Sequence, residues 1–401
     1  MCVCVCVCVC VCVADSPDSC IAAASGDDLL AEVGGMTEAS KRADGLRPLV
    51  MALAASGQLH HTLDRTHSTA VRASPPLAMW AAVVALWCIA MDVVLLLEVR
   101  DTDHTLLLSL MSYGYVTTSA CYRIMAATRS GRLARLLDRL YALDANLAGL
   151  RERRPPVLTD PLAAINMAAQ VALGVSIMKV FNVHTAYHWA QLVLVVGSIV
   201  LTTSFFKSSF ILLSWDLRRA LATSRTAPPA HEKGGVAGGR RCEGLDLPRL
   251  QAACLRVEEA KEALLAYLGL PVALLMLGYS IVLISTFCLW FRFGVTPLIF
   301  FTNAISLVSG MAVVCSAPQR LREEASEVEK ELLFLKGPCD PDTHHQVCVV
   351  LATLRRVSEM SVNGVYTLGS HNILQVAGFV TTYLVILLQL PSSLIKEDSN
   401  H

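Results

Sequence analysis

Charge is scarce in this sequence. Only 16% of its 401 residues are charged, whereas a soluble domain carries about a quarter. The shortage is concentrated in long apolar stretches, which excludes an ordinary soluble globule and places the chain in the membrane class. The net charge of zero carries no signal of a nucleic-acid partner. Paired cysteines are missing too: none of the fifteen forms a CxxC pair, so no zinc or redox framework can be read. Catalytic patterns are equally absent. Gly234 and Gly239 are followed by Arg240 rather than Lys-Ser/Thr, which is not a phosphate loop. His184 and His188 have no HExxH glutamate between them, and no nucleophile–base pair or carboxylate pair stands out. Cys339, His344, His345 and Cys348 lie in a stretch, "PCDPDTHH", that reads as a turn. No enzyme, metal or cofactor is therefore expected.

What is present begins with a repeat. Six cysteines alternate with valine over residues 2–13, the translation of a repeated TG dinucleotide. The run imitates the apolar core of a signal peptide, with Ala14 as a small residue for cleavage, but lacks the basic residues that should precede one.

Seven later stretches are long and apolar enough to cross a ~30 Å hydrocarbon layer as helices. They fall near 77–97, 105–127, 162–182, 187–212, 270–290, 295–316 and 368–390. The second is the most polar, with Tyr113, Tyr115, Thr117, Thr118 and Arg123. Asp92 lies near the end of the first span, where an intramembrane charge either meets a partner or is solvated. Pro271 and Pro297 fall at the starts of two spans, where a missing N–H costs least.

Lys and Arg sort by side. Of the 33, 27 lie in the N-terminal segment and the loops that return to its side, and three lie opposite. The positive-inside rule then places the N-terminus in the cytoplasm and the C-terminus outside. A G-protein-coupled receptor has the opposite orientation, and "DRLY" at Asp138–Tyr141 sits mid-loop rather than at the end of a third span. A cleaved signal peptide would also invert the topology and fails on the same count.

The outer loops are short and hold no N-x-S/T sequon. The inner loops carry helical periodicity: Leu133, Leu136, Leu137, Leu140, Leu147 and Leu150 in one, Leu250, Cys254, Val257, Leu264 and Leu268 in another, Val350, Leu354 and Val357 in a third. These predict helices that continue below the membrane and pack on one another. Residues 226–244 are rich in Pro and Gly and read as a linker.

On the seventh span, His371, Gln375, Gly378, Thr382 and Gln389 fall within about 40° of one line on a 3.6-residue helix. Lipid cannot satisfy such a stripe, so it faces other helices or water. It is either interhelical glue or the lining of a water-filled path.

Here the sequence also resembles a known family. Thr382-Tyr383, five hydrophobic residues and Gln389 resemble the C-terminal TYhhhhhQF signature of insect gustatory receptors, with Leu390 in place of Phe. The approach, "NGVYTLGSHNILQVAGFV", looks similar too. The motif match covers roughly 361–390; length and topology agree over 77–401. The resemblance implies an all-α membrane protein with seven transmembrane helices and helical cytoplasmic extensions forming an anchor. It implies a ligand-gated cation channel, a homotetramer or a hetero-tetramer with other gustatory receptors, in the plasma membrane of chemosensory dendrites. Gln389 and Leu390 would form the gate. Thr382, Gln375 and His371 would line the pore on the inner side of this gate near the outer end, Thr382 and Tyr383 would hold the helix against its neighbours, and Gly378 would serve helix packing. Sugar-sensing relatives usually carry Glu after the Tyr, where this chain has Leu384, so the tastant is expected to be bitter or otherwise non-sugar. The ligand pocket would use Tyr113, Tyr115, Tyr187 or Trp189, although core packing accounts for the same aromatics. An odorant-receptor-type channel or a metabotropic seven-helix receptor are the alternatives. The domain reading is 1–76 cytoplasmic segment, 77–390 channel domain and 391–401 extracellular tail, with a small-molecule tastant and the bilayer as partners and no nucleic acid.

The charge sorting is directly testable. With a tag at each end, antibody on unpermeabilised cells is expected to stain only the C-terminal tag; the reverse pattern would restore the G-protein-coupled class.

Overall fold

The computed structural model describes residues 52–54, 56–57, 61–63, 71–73, 75–100, 128–147, 161–180, 186–226, 246–293, 297–334, 341–362 and 366–389. Nine long helices run through them: α1 Pro75–Arg100, α2 Ser130–Leu147, α3 Pro161–Val180, α4 Ala186–Thr226, α5 Leu247–Phe293, α6 Pro297–Ser316, α7 Gln319–Phe334, α8 Pro341–Ser358 and α9 His371–Gln389. Two antiparallel hairpins accompany them. The first pairs β1 (His61–Leu63) with β2 (Val71–Ala73); the second pairs β3 (Ser361–Val362) with β4 (Tyr366–Thr367). The chain is thus an all-α membrane protein. Among the described residues, Gly197–Arg225, Leu247–Phe287 and Phe301–Leu333 are long and apolar enough to cross a membrane. Helices also occupy the expected first, third and seventh spans; the second lies outside the described residues.

Proline starts four of the helices: Pro75, Pro161, Pro297 and Pro341 open α1, α3, α6 and α8. A first-turn N–H has no helical acceptor, so proline loses nothing there. Pro271 does not follow that expectation. It lies inside α5, because the helix of the fifth span continues unbroken into the inner extension. Five residues before Pro271, the Ala266 carbonyl accepts from Arg132 Nη1 of α2 at 3.2 Å and from Arg129 Nη1, just before α2, at 3.5 Å.

Two helices far exceed a membrane's thickness. At ~1.5 Å per residue, the 41 residues of α4 and the 47 of α5 reach about 60 and 70 Å. Their surplus forms an inner bundle with α2, α7 and α8. The packing pattern repeats every seven residues. On α5, Leu250, Cys254, Val257, Leu264 and Leu268 are buried at spacings of four and three. Phe206, Phe210, Leu213 and Leu217 do the same on α4, and Leu321, Ala325, Val328 and Leu332 on α7. Such a period keeps one seam facing its partners along the whole length. Lys261 completes the α5 seam as a buried cation. Ion pairs flank the bundle: Arg218–Glu324, Arg225–Glu331 and Arg355–Glu329.

Helix α7, residues 317–318 and the two hairpins were not among the expected elements. In the membrane half, α3 packs along α6, and α6 against α5. Two glycines set how closely elements approach. A Cβ on Gly310 of α6 would meet the Tyr279 ring of α5 at 2.6 Å, and one on Gly269 would meet Val362 of β3 at 2.7 Å.

Gly310→Ala should therefore cost about 1–3 kcal/mol of stability through overpacking. Thermal unfolding in detergent is expected to show a lowered midpoint, whereas Gly131→Ala, into open space, should leave it unchanged or raised.

Candidate functional site

Among the described residues, the terminal helix α9 is the least covered part of the membrane half. It begins at His371 after the β3–β4 hairpin. Asn372, only 1% exposed, holds the entry: its N–H donates to Gly369 O at 3.1 Å and its side chain donates to Thr367 O. From there one narrow line touches the rest of the chain. Asn372 and Val380 are buried, and Val376 and Leu384 between and beyond them are half-buried. Four residues at i, i+4 spacing drift slowly around a helix, so they make one ridge. It seats against α5 and, less extensively, α6.

The residues of the polar stripe lie elsewhere. His371, Gln375, Gly378, Thr382 and Gln389 are each exposed. At ~100° per residue their mean direction is about 150° from the docking ridge. Apolar flanks border the stripe on both sides: Leu374, Val385 and Leu388 on one, Phe379, Tyr383 and Ile386 on the other, all exposed. Leu374 is 77% exposed, far more than a side chain meant for its own subunit's core. The Phe379 and Tyr383 rings sit 4.4 Å apart, covering each other rather than the bundle.

Within one subunit, then, the stripe is not glue. A Cβ on Gly378 would meet nothing within 4 Å. Thr382 Oγ1 donates to Gly378 O at 2.9 Å and Thr381 Oγ1 to Ala377 O at 2.8 Å, so both hydroxyls are satisfied by their own helix. His371 Nε2 lies 3.3 Å from Thr367 Oγ1. The amides of Gln375 and Gln389 face outward with the stripe. The arrangement supplies a polar line edged with apolar surface, suited to meeting copies of itself around water.

The other expected residues are placed less completely. Leu390, Tyr113 and Tyr115 lie outside the described residues; Tyr187 and Trp189 belong to the first turn of α4, but their side chains lie outside the description, as does that of Asp92. On α8, Cys348 Sγ lies 3.8 Å from His344 Nδ1, and Cys339 is outside the described residues. Among those described, no three His, Cys, Asp or Glu side chains are grouped to hold a metal.

Sequence reading missed a buried polar seam between α3, α5 and α6. Ser309 Oγ donates to Asn166 Oδ1 at 3.2 Å, and Asn303 Nδ2 donates to Thr286 Oγ1. Gln170 and Ser306 are buried one turn further along the same two helices. Asn303 in "FFTNAISLVSG" was the available signal: an amide amid apolar residues needs a partner in the membrane.

Residues 47–390 match a family described as 7tm chemosensory receptor. No curated protein matches the chain. Among solved structures, the insect olfactory receptor OR5 from Machilis hrabei in complex with eugenol is similar, at 10% identity and a TM-score of 0.64, over 88% of this chain and 100% of that one. The structure of that receptor described without eugenol gives 0.63 over the same shares, also at 10% identity. At this identity the likeness shows the fold.

If nothing in the subunit approaches Gly378, Gly378→Ala should not destabilise the protomer and should gain up to ~1 kcal/mol of helix propensity. Unfolding of dissociated protomers in detergent checks this; a lowered midpoint would mean the stripe is covered within the subunit.

Proposed function

Because the chain belongs to the 7tm chemosensory receptor family, we propose that it is a gustatory receptor working as a ligand-gated cation channel, with α9 from each of four copies lining one central pore. The observation that carries this reading is the exposed polar stripe of α9 opposite its docking ridge, on the helix that bears Thr382-Tyr383 and Gln389. A hydrocarbon environment cannot satisfy the Gln375 and Gln389 amides. Four helices meeting through their apolar flanks turn those amides toward water instead.

Mechanism follows from the two ends of α9. Gln389 forms a polar ring near the outer mouth beside a ring of Leu390. With the pore narrow, the leucines exclude water and block ions by dewetting; with it wider, water enters and cations pass the amide oxygens. Ligand binding in the outer half of each subunit shifts this balance by favouring the wider state. Leu384 directly after Tyr383 favours a bitter or other non-sugar tastant. The receptor acts in the plasma membrane of chemosensory neurons, alone or with other gustatory receptors. A second reading, an odorant-gated channel on the same plan, draws on the fold shared with OR5, whose structure contains eugenol. Ligand-evoked current in a cell lacking other receptors, run against tastant and odorant panels, separates the two.

Gln389→Glu places up to four like charges near one axis and should change permeability ratios or spontaneous opening while the protein still reaches the surface. Thr382→Val should leave permeation unchanged, since the Thr382 hydroxyl bonds its own helix. Identical permeability and gating in Gln389→Glu would remove α9 from the conduction path.

A further inference from the structure

The connector between α8 and α9 is held by cations from two other helices. A helix end leaves its last four carbonyls without helical donors. Here Arg355 O accepts from Glu359 N at 3.0 Å and from Ser358 Oγ at 2.7 Å. Lys261 Nζ, from the α5 seam, donates to Arg356 O and, at 3.0 Å, to Glu359 O. Glu258, one turn away on α5, pairs with Arg356 at 3.4 Å. Arg322 of α7 reaches the last of them: its Nε donates to Ser358 O at 3.4 Å, while its Nη2 donates to Leu368 O at 3.1 Å.

Arg322 thus bonds both ends of the connector. Ser358 is the last residue of α8, and Leu368 lies three residues before α9, with the hairpin between. The hairpin closes on the same point, since Leu368 N donates to Met360 O at 2.7 Å. Gly369 lies against the guanidinium, where a Cβ would come within 3.2 Å of Nη1. Leu368 is fully buried, and Val362 is pressed on Gly269 of α5. The outer half of α9 has nothing comparable. Beyond half-buried Leu384, Val385, Ile386, Leu388 and Gln389 are all exposed.

We infer that Arg322 is a positioning residue that pins the inner end of α9 to the inner bundle, making residues 368–372 a fixed pivot about which the outer end moves. The inference rests on the proposed role of α9 in the pore. A planar fork reaches two carbonyls at once, whereas a lysine ammonium is a point charge. Losing the pivot lets α9 reach its conducting position without ligand.

The full chain, expressed in a cell lacking other receptors, provides the test. Spontaneous current is measured as a fraction of the maximal evoked current, per surface copy. Arg322→Ala should raise this fraction about tenfold, the size of one charge-assisted hydrogen bond. Arg322→Lys should fall between, and Arg355→Ala, whose side chain pairs with Glu329 away from the connector, should match wild type. Hydrogen exchange on the purified protein supplies a reading independent of current: in Arg322→Lys, amides at 366–374 should exchange faster while those of α5 do not. A wild-type spontaneous fraction in Arg322→Ala at normal surface number overturns the pivot, as does unchanged exchange at 366–374 in Arg322→Lys. Should Gln389→Glu leave permeation untouched, the pore reading fails by itself, and exchange still decides whether Arg322 pins α9.

Discussion

The seam along α5 fixes where everything else goes. Leu250, Cys254, Val257, Leu264 and Leu268 form one buried line, and α2, α4 and α8 pack against this helix. Because α5 runs unbroken from Leu247 to Phe293, the same rigid rod sets the inner bundle and then enters the membrane, where α6 and α9 seat on it. A shift of the seam below would be carried into the position of α9. Burying each large apolar side chain on this seam contributes about 1.5–3 kcal/mol, and none of those residues is on the membrane-facing half. The same helix stays buried above the seam, through Val272, Leu275, Met276, Tyr279 and Val282, so both halves are packed on one rod.

Lys261 shows how tightly the two halves are joined. A cation in the middle of an apolar seam is costly unless fully hydrogen-bonded. Its partners are the carbonyls of Arg356, in the last turn of α8, and of Glu359, just past it; a helix end needs such donors and carries the negative pole of the helix dipole. One misfit thus answers another. The consequence is that the end of α8, and with it the start of the path to α9, is registered against α5 by charge as well as by packing.

Much of this was legible in the sequence because the solvent dictates it. Lipid demands helices, so apolar length revealed the spans, and the sorting of Lys and Arg ordered their sides. The inner extensions of α2, α5 and α8 were visible in their leucine spacing. Helix α7 was not: "QRLREEASEVEKELLF" hides its seam of Leu321, Ala325, Val328 and Leu332 among ten polar or charged residues. The β3–β4 hairpin rests on two residue pairs, too few to leave a strand pattern. Pro271 read as a start because its local cost argues for one; the packing of Leu264 and Leu268 below it outweighs that cost. For the site, the sequence displayed the polar stripe of α9 but not which face docks. Val376, Val380 and Leu384 on the ridge are chemically no different from Leu374, Val385 and Leu388 on the flank. Only the position of α5 tells them apart.

The coverage of α9 then carries the last step. Its two threonine hydroxyls are satisfied by the helix itself, but Gln375 and Gln389 have side-chain amides facing out of the subunit. Left against hydrocarbon, an unpaired amide costs at least ~2 kcal/mol, and each subunit presents two. Covering them with apolar helices would not lower that cost; water or other amides would. The surface chemistry of α9 is therefore poorly matched to lipid, and in the proposed channel its apolar flanks and polar stripe are resolved together by an assembly that keeps water along the stripe.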